Sequence, residues 1–201
     1  MICSELGAIL IVDHCFLVAG VHSSDKICRI WDIVTPSLDW IAIWDTGKTF
    51  GFNEDKIGFL ITSSEGMKAA IRKSLSVLQF GISRRAKLFF TALFRQANIH
   101  RHIEQLRHFC RLNLEMLKDQ RCESFCVRDV GAGSLALVDI SGTGVEDEEI
   151  RELLLKNGVG VVSGNVFFHT DWKKNNYIRI ALARDPAYFN EAIEKLLECI
   201  R

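Results

Sequence analysis

No apolar run in this 201-residue chain approaches the roughly 20 residues that a membrane-spanning helix needs, so no membrane partner is expected. Excess charge of either sign is also missing. Twenty-five Lys and Arg balance twenty-five Asp and Glu. A protein that holds nucleic acid by its phosphates carries a basic face, so nucleic acid is not an expected partner. The N-terminus has neither the basic segment nor the cleavage site of a secretory signal. Cys-x-x-Cys does not occur, and the seven cysteines are odd in number, with Cys122 and Cys126 the one close pair. That pattern argues against structural zinc and against a disulfide framework. Reduced thiols, mostly buried as small apolar side chains, and a cytoplasmic location are expected. Repeats and low-complexity segments are absent as well.

Three short apolar runs are present: GAILIVDH (7–14), DWIAIWDTG (39–47) and KIGFLITS (56–63). Runs of this length, rich in Ile and apolar on both faces, predict buried strands of a sheet covered on both sides. Residues 63–79 and a long stretch from Ser83 to Gln120 have helical periodicity. Phe89, Leu93, Ile99, Ile103, Leu106, Cys110, Leu114 and Leu117 form its stripe, with a slip near Ala97, so one long helix or two with a kink are expected. The charged middle of this stretch predicts a solvated face. His100, His102 and His108 lie there without the i,i+4 spacing of metal ligands, and no metal site is expected.

The C-terminal third predicts strand, helix, strand, strand, helix. VEDEEIRELLLKNGV (145–159) has acids in its first turn, Lys156 in its last and Gly158 at its C-terminal cap. YIRIALAR (177–184) places Ile178, Ile180 and Leu182 on one face and Arg179 on the other. In the last segment Asp185 is a natural N-cap, Pro186 fits the first helical position, and Phe189, Ile193, Leu196 and Leu197 form the stripe.

The sequence WDTGKTFGF contains Gly-Lys-Thr, the end of a nucleotide-phosphate loop. Such a loop needs a second glycine five positions before Gly47, and that position is Ala42. It also needs a helix opening at the lysine, whereas TFGFNED reads as a turn leading into a strand. The phosphate-loop reading fails on both requirements. The alternative makes Lys48 a reactive amine. Asp13 and Lys48 each lie just past an apolar strand, Lys56 follows, and Arg179 lies on a later strand. Taken singly, these residues read equally well as a helix cap, surface lysines and half of a structural ion pair.

Taken in order, they resemble the class I/II, fold-type I pyridoxal-phosphate-dependent aminotransferases. ILIVDHCF is similar to that family's strand ending in Asp-x-x-Tyr. DTGKTFGFNEDKIGFLI is similar to its lysine segment, and NGVGVVSGNVFF with NYIRIALA resembles its C-terminal segment. The spacings, 35 residues from Asp13 to Lys48 and 131 from Lys48 to Arg179, resemble the family's. The resemblance implies an α/β, PLP-dependent transferase-like fold, with a partial large-domain sheet in 1–99 and a complete small α+β domain in 100–201. It implies that pyridoxal 5'-phosphate is the cofactor, held by Asp13, Phe16, Asp45, Gly47, Lys48 and Lys56. Lys48 would be the catalytic Schiff-base lysine, tuned by burial, Asp13 the partner of the pyridine nitrogen, and Arg179 the clamp on the substrate carboxylate. Gly47 and Gly51 would leave room for the cofactor and the turn.

Three positions depart from the pattern. Phe16 stands in place of a tyrosine, Lys56 in place of a phosphate-binding arginine, and Asp45 in place of a phosphate-binding serine. A carboxylate beside a phosphate is repulsive unless Lys56 offsets it. Only twelve residues precede Asp13, which implies the C-terminal half of an aminotransferase-like enzyme. The implied activity is amino-group transfer between an amino acid and a 2-oxo acid, by a homodimer if the missing half is supplied. A PLP-dependent lyase, cyclase or decarboxylase on the same scaffold, or an inactive fragment that serves as a folding or binding partner, are the alternatives.

Overall fold

Short β-branched runs beside Gly and Asp become strands here, and the apolar periodic segments between them become helices. The computed structural model describes residues 2–16, 38–52, 54, 56–78, 81–120, 124–128, 133–167 and 176–200. Asn53, Asp55, Gln79, Cys122 and Phe168, which entered the sequence readings above, lie outside the described residues. The chain divides into two compact units, one reaching to Ile103 and the other running from Glu104.

The first unit begins with a single helical turn, α1 (Ile2–Glu5), and β1 (Leu10–Asp13). β2 (Trp40–Asp45) pairs in parallel with β1, and β3 (Gly58–Thr62) pairs antiparallel with β2, giving the order β1-β2-β3. Leu10 stands opposite Trp40 and Asp13 opposite Ile43, while Asp45 stands opposite Gly58. A five-residue helix, α2 (Thr46–Phe50), follows β2 directly. Then come α3 (Glu65–Leu78), α4 (Arg84–Gln96) and α5 (Ile99–Asp119), which continues into the second unit. The long helical stretch is thus two helices, parted at Ala97, whose backbone is extended.

Covered sheet faces were expected of this unit, and the structure differs. Ile11, Phe59, Leu60 and Ile61 are all exposed, Ile11 by 61% and Ile61 by 53%. Apolar runs encode strands fit for burial, but burial needs a second layer, and the described residues of this chain leave these side chains uncovered. What the unit packs instead is a set of rings. Phe52 meets Phe89 and Phe90 edge-on, with centroids 5.3 and 5.4 Å away, and Phe94 lies near Phe50, Phe59 and Phe90. Phe90, not Phe89, is the buried member, because it docks among these rings while Phe89 keeps 47% exposure.

The second unit holds the large apolar core. β4 (Cys126–Arg128), β5 (Leu135–Asp139), β7 (Tyr177–Ala181) and β6 (Val162–Ser163) form an antiparallel sheet in that order. α6 (Asp147–Lys156) and α7 (Pro186–Ile200) supply helical apolar faces to the same core. Ile178, Ile180 and Leu182 face inward, as the alternation predicts, together with Val138, Ile150, Leu154, Phe189, Ile193 and Leu196. The three-residue β4 was not expected; it is too short for its alternation to show. α6 ends in a Schellman turn: Val159 N–H reaches Leu154 O and Gly158 N–H reaches Leu155 O, with Gly158 at φ 79°. Asp185 Oδ1 accepts from Ala187 N–H at 3.0 Å, as its capping position requires. Buried Asn113 donates to Leu182 O and Arg184 O at 2.8 and 2.9 Å, tying α5 to the end of β7.

Gly164 is where the backbone comes closest. A Cβ there would lie 2.6 Å from both Cβ and O of Tyr177, a backbone that is itself fixed in the sheet. Gly164→Ala is expected to lower the stability of the second unit by about 1–3 kcal/mol, since overpacking against backbone cannot relax cheaply. Urea unfolding followed by circular dichroism checks this.

Candidate functional site

Because β1 and β2 run parallel, their C-terminal ends share one edge of the sheet, and antiparallel β3 starts from that edge. Topology alone therefore brings together Asp13 at the end of β1, Asp45 at the end of β2, Lys48 on α2, and Lys56 just before β3. His14 N–H continues the parallel ladder by donating to Ile43 O at 2.7 Å, and the turn after it delivers Cys15 and Phe16.

The TFG segment after Lys48 does not form the expected open turn; residues 46–50 coil into α2. The reason is a good cap at each end. Asp45, in extended conformation, accepts the Gly47 N–H on Oδ1 at 2.8 Å. Gly51, at φ 71°, donates its N–H back to Gly47 O, a left-handed position that glycine takes without strain. Buried Thr46 bridges to Ile57 in both directions, its N–H to Ile57 O at 3.1 Å and its Oγ1 accepting from Ile57 N–H at 3.0 Å. The segment carrying Lys48 is thus fastened to the start of β3.

Lys48 is exposed, so the burial expected of it is not found among the described residues. Its Nζ lies 5.3 Å from the centroid of Phe16, a cation–π approach. Asp45 is half-buried, and its Oδ2 lies 3.6 Å from Lys56 Nζ. The anticipated offset of Asp45 by Lys56 is therefore present as an ion pair. Gly47 is needed beside it: a Cβ there would lie 3.2 Å from Asp45 Oδ1 and 3.4 Å from Lys56 Cδ.

Asp13 Oδ1 accepts from Cys15 N–H at 2.8 Å. Hydrogen bonds from the Cys15 thiol and amide hold the Asp13 carboxyl below its ordinary range. Burial, then the Asp13 hydrogen bond and the Asp45 charge, push the Cys15 thiol up to about 11. Arg179 belongs to the second unit. It lies on β7 between Leu137 and Val162, and its guanidinium sits 5.0 Å from the Phe167 ring centroid. Among the described residues no carboxylate pairs with it.

No protein-family model matches the chain, and no curated protein matches it in sequence. Solved structures do match. An α-aminoadipate aminotransferase from Thermus thermophilus, complexed with N-(5'-phosphopyridoxyl)-L-leucine, is similar with a TM-score of 0.79 at 13% identity, over 99% of this chain and 51% of that one. YbdL from Escherichia coli, for which a methionine aminotransferase function was identified, is similar with a TM-score of 0.79 at 23% identity, over 95% and 50%. An aromatic aminotransferase from Pyrococcus horikoshii gives 0.78 at 17%, over 98% and 52%. The chain has the fold of the C-terminal half of the fold-type I aminotransferases. It spans about half the length of these structures. No helix among the described residues of this half-fold is long and apolar enough to cross a membrane, and none of them form a group of three metal-ligating side chains.

Within this aminotransferase half-fold, the structure adds residues that sequence reasoning missed. His102 lies on the face read as solvated, and it is exposed, but it is not idle. Its Nε2 is 2.7 Å from Thr49 O, and its ring stacks on Phe50 at 5.2 Å. A carbonyl only accepts, so Nε2 carries the proton. His102 thereby satisfies a carbonyl in the last turn of the helix bearing Lys48. Cys15 was likewise missed. Of the five described cysteines one, Cys110, is buried and Cys126 is exposed, so the expectation of mostly buried thiols holds for Cys110 alone.

Three outcomes are expected. His102→Phe retains the stack and loses the hydrogen bond, and should lower the stability of the first unit by about 0.5–1.5 kcal/mol in urea unfolding. The raised Cys15 thiol should react with iodoacetamide at pH 8 at least about tenfold more slowly than an ordinary thiol. Asp13→Asn removes the charge that disfavours the thiolate and should speed that reaction, read by peptide mass spectrometry.

Proposed function

We propose that this chain carries the lysine-bearing part of a pyridoxal-phosphate-type site for amino-group transfer between an amino acid and a 2-oxo acid. The observation that carries the reading is the shared strand edge of an aminotransferase half-fold, where β1 ends in an ionised carboxylate, Asp13, and the parallel β2 leads directly into the short helix α2 that bears an exposed amine, Lys48.

The donor set meets the parts of the cofactor unequally. An exposed primary amine suits an aldehyde. Asp13, held below its ordinary range, suits a protonated ring nitrogen, since an ionised carboxylate keeps acceptor capacity beyond its two Cys15 bonds. The 5'-phosphate does not fit the same edge: the cation and the helix-end amide that would receive it already serve Asp45. A bound pyridoxal-type aldehyde would supply a carbonyl to accept the amino group and a ring to withdraw electrons from the substrate.

The residues of this chain divide the remaining work. Lys48 Nζ, once deprotonated, is a nucleophile and afterwards a base that can carry a proton. Phe16 covers the amine on one side with an apolar ring and offers no hydroxyl. Arg179, with no carboxylate partner among the described residues, presents a two-pronged donor suited to a substrate α-carboxylate. A homodimer and an amino acid and 2-oxo acid as partners belong to the same proposal.

The chain, supplied with a pyridoxal-type aldehyde and then an amino acid, should form 2-oxo acid and the corresponding pyridoxamine in equal amounts. Lys48→Ala should lower this by at least about a hundredfold. Arg179→Lys should raise the amino acid concentration for half-maximal conversion about tenfold, because lysine lacks the fork. As much 2-oxo acid from Lys48→Ala as from the wild type would sink the reading.

A further inference from the structure

We infer that Asp45 takes the place of a ligand phosphate at the Lys48 edge, so that Lys48 captures an unphosphorylated aromatic aldehyde in preference to a phosphorylated one. The inference rests on the proposed function, which requires an aldehyde at Lys48, and goes beyond it in naming the aldehyde's charge class.

A phosphate is recognised by free N–H donors and by cations, most readily where a helix begins. At the start of α2 two of those donors, the Thr46 and Gly47 amides, are occupied. Thr46 N–H is given to Ile57 O at 3.1 Å, and Gly47 N–H to Asp45 Oδ1 at 2.8 Å. The cation next to this helix start is occupied as well, since Lys56 Nζ stands 3.6 Å from Asp45 Oδ2. One carboxylate therefore takes up, with its two oxygens, the amide and the ammonium that would otherwise receive an anion. Gly47 permits this arrangement, because a Cβ there would press on both Asp45 Oδ1 and Lys56 Cδ.

Charge points the same way. Asp13 and Asp45 supply two carboxylates, and Lys48 and Lys56 two ammonium groups. Glu54, exposed in the connection, adds a further negative charge. Lys48 must release a proton before its nitrogen adds to an aldehyde carbon. The condensation then forms one C=N bond and expels one water, so the edge has still less positive charge to offer a dianion. A neutral aldehyde meets none of this repulsion, and its ring finds the Phe16 face and the Asp13 carboxylate.

The test compares pyridoxal 5'-phosphate with 5'-deoxypyridoxal, which lacks the phosphate and cannot close on its own aldehyde. The 201-residue chain is titrated with each, reduced with borohydride, and the fraction of the Lys48 peptide carrying the adduct is measured by mass spectrometry. Each half-saturation is divided by the value for free Nα-acetyl-lysine, to remove intrinsic reactivity. The wild type should favour 5'-deoxypyridoxal by at least about tenfold. Asp45→Asn and Asp45→Ser retain a capping oxygen while removing the charge. Both should shift the ratio toward the phosphorylated aldehyde by about tenfold or more. Lys56→Gln should shift it the other way.

A wild type that favours pyridoxal 5'-phosphate, or a ratio unchanged in both Asp45 variants, overturns the inference while leaving Lys48 as the amine. Labelling of Lys48 no greater than that of the other lysines, with both aldehydes, overturns the proposed function and the inference with it.

Discussion

The candidate site depends first on the parallel pairing of β1 with β2. A strand of four residues is about 13 Å long. An antiparallel partner would have sent its C-terminal end to the far side of the sheet, and with it the distance between Asp13 and Lys48 would have grown by about that much. Parallel pairing instead places Asp13 opposite Ile43, two residues before Asp45, and antiparallel β3 returns Lys56 to the same edge. Three strands in this mixed order gather two carboxylates and two amines that are spread over 44 positions of sequence.

The two units hold their shape by different means. The second has a layered aliphatic core, with helices α5, α6 and α7 meeting one face of an antiparallel sheet. The first relies on its backbone ladder, on the Thr46–Ile57 bridge, and on a group of phenylalanine rings, while aliphatic side chains of its sheet stay in contact with solvent. The candidate lysine edge lies in the first unit, where few apolar side chains are fully buried. Capping and hydrogen bonding therefore matter more for the position of Lys48 than hydrophobic packing does. Asp45 and Gly51 fix the ends of its helix, and His102 satisfies a carbonyl of its last turn.

Asp45 does several things at once. It ends β2, caps α2 and pairs with Lys56. A serine there would cap the helix equally well but would leave Lys56 unpaired and the edge more positive. The substitution of a carboxylate at this one position thus changes the charge that the edge presents to a ligand and leaves the local backbone intact.

Much of the architecture was legible in the chain. The apolar runs, the Ala97 slip, the Asp185-Pro186 start and the Gly158 stop each have a local cause, so each element appeared near its expected place. The resemblance in motif order pointed to the right fold. Other features could not be read. The exposure of Ile11 and Ile61 depends on what stands over the sheet, the burial of Phe90 rather than Phe89 depends on which ring docks, and β4 is too short for periodicity. Asp45 as a cap, and hence α2 itself, required knowing that residues 46–50 coil rather than extend.

The sequence by itself determined which residues form strands and helices, because alternation, capping and glycine placement act over a few residues. It also determined which amine and carboxylates stand at strand ends. Only the tertiary structure decided that Asp45 meets Lys56, that His102 reaches Thr49 across 53 positions, and that Lys48 lies exposed beside Phe16. Those facts depend on strand register and on the direction each strand runs, which are set by pairing between distant segments and leave no periodic trace in any one of them.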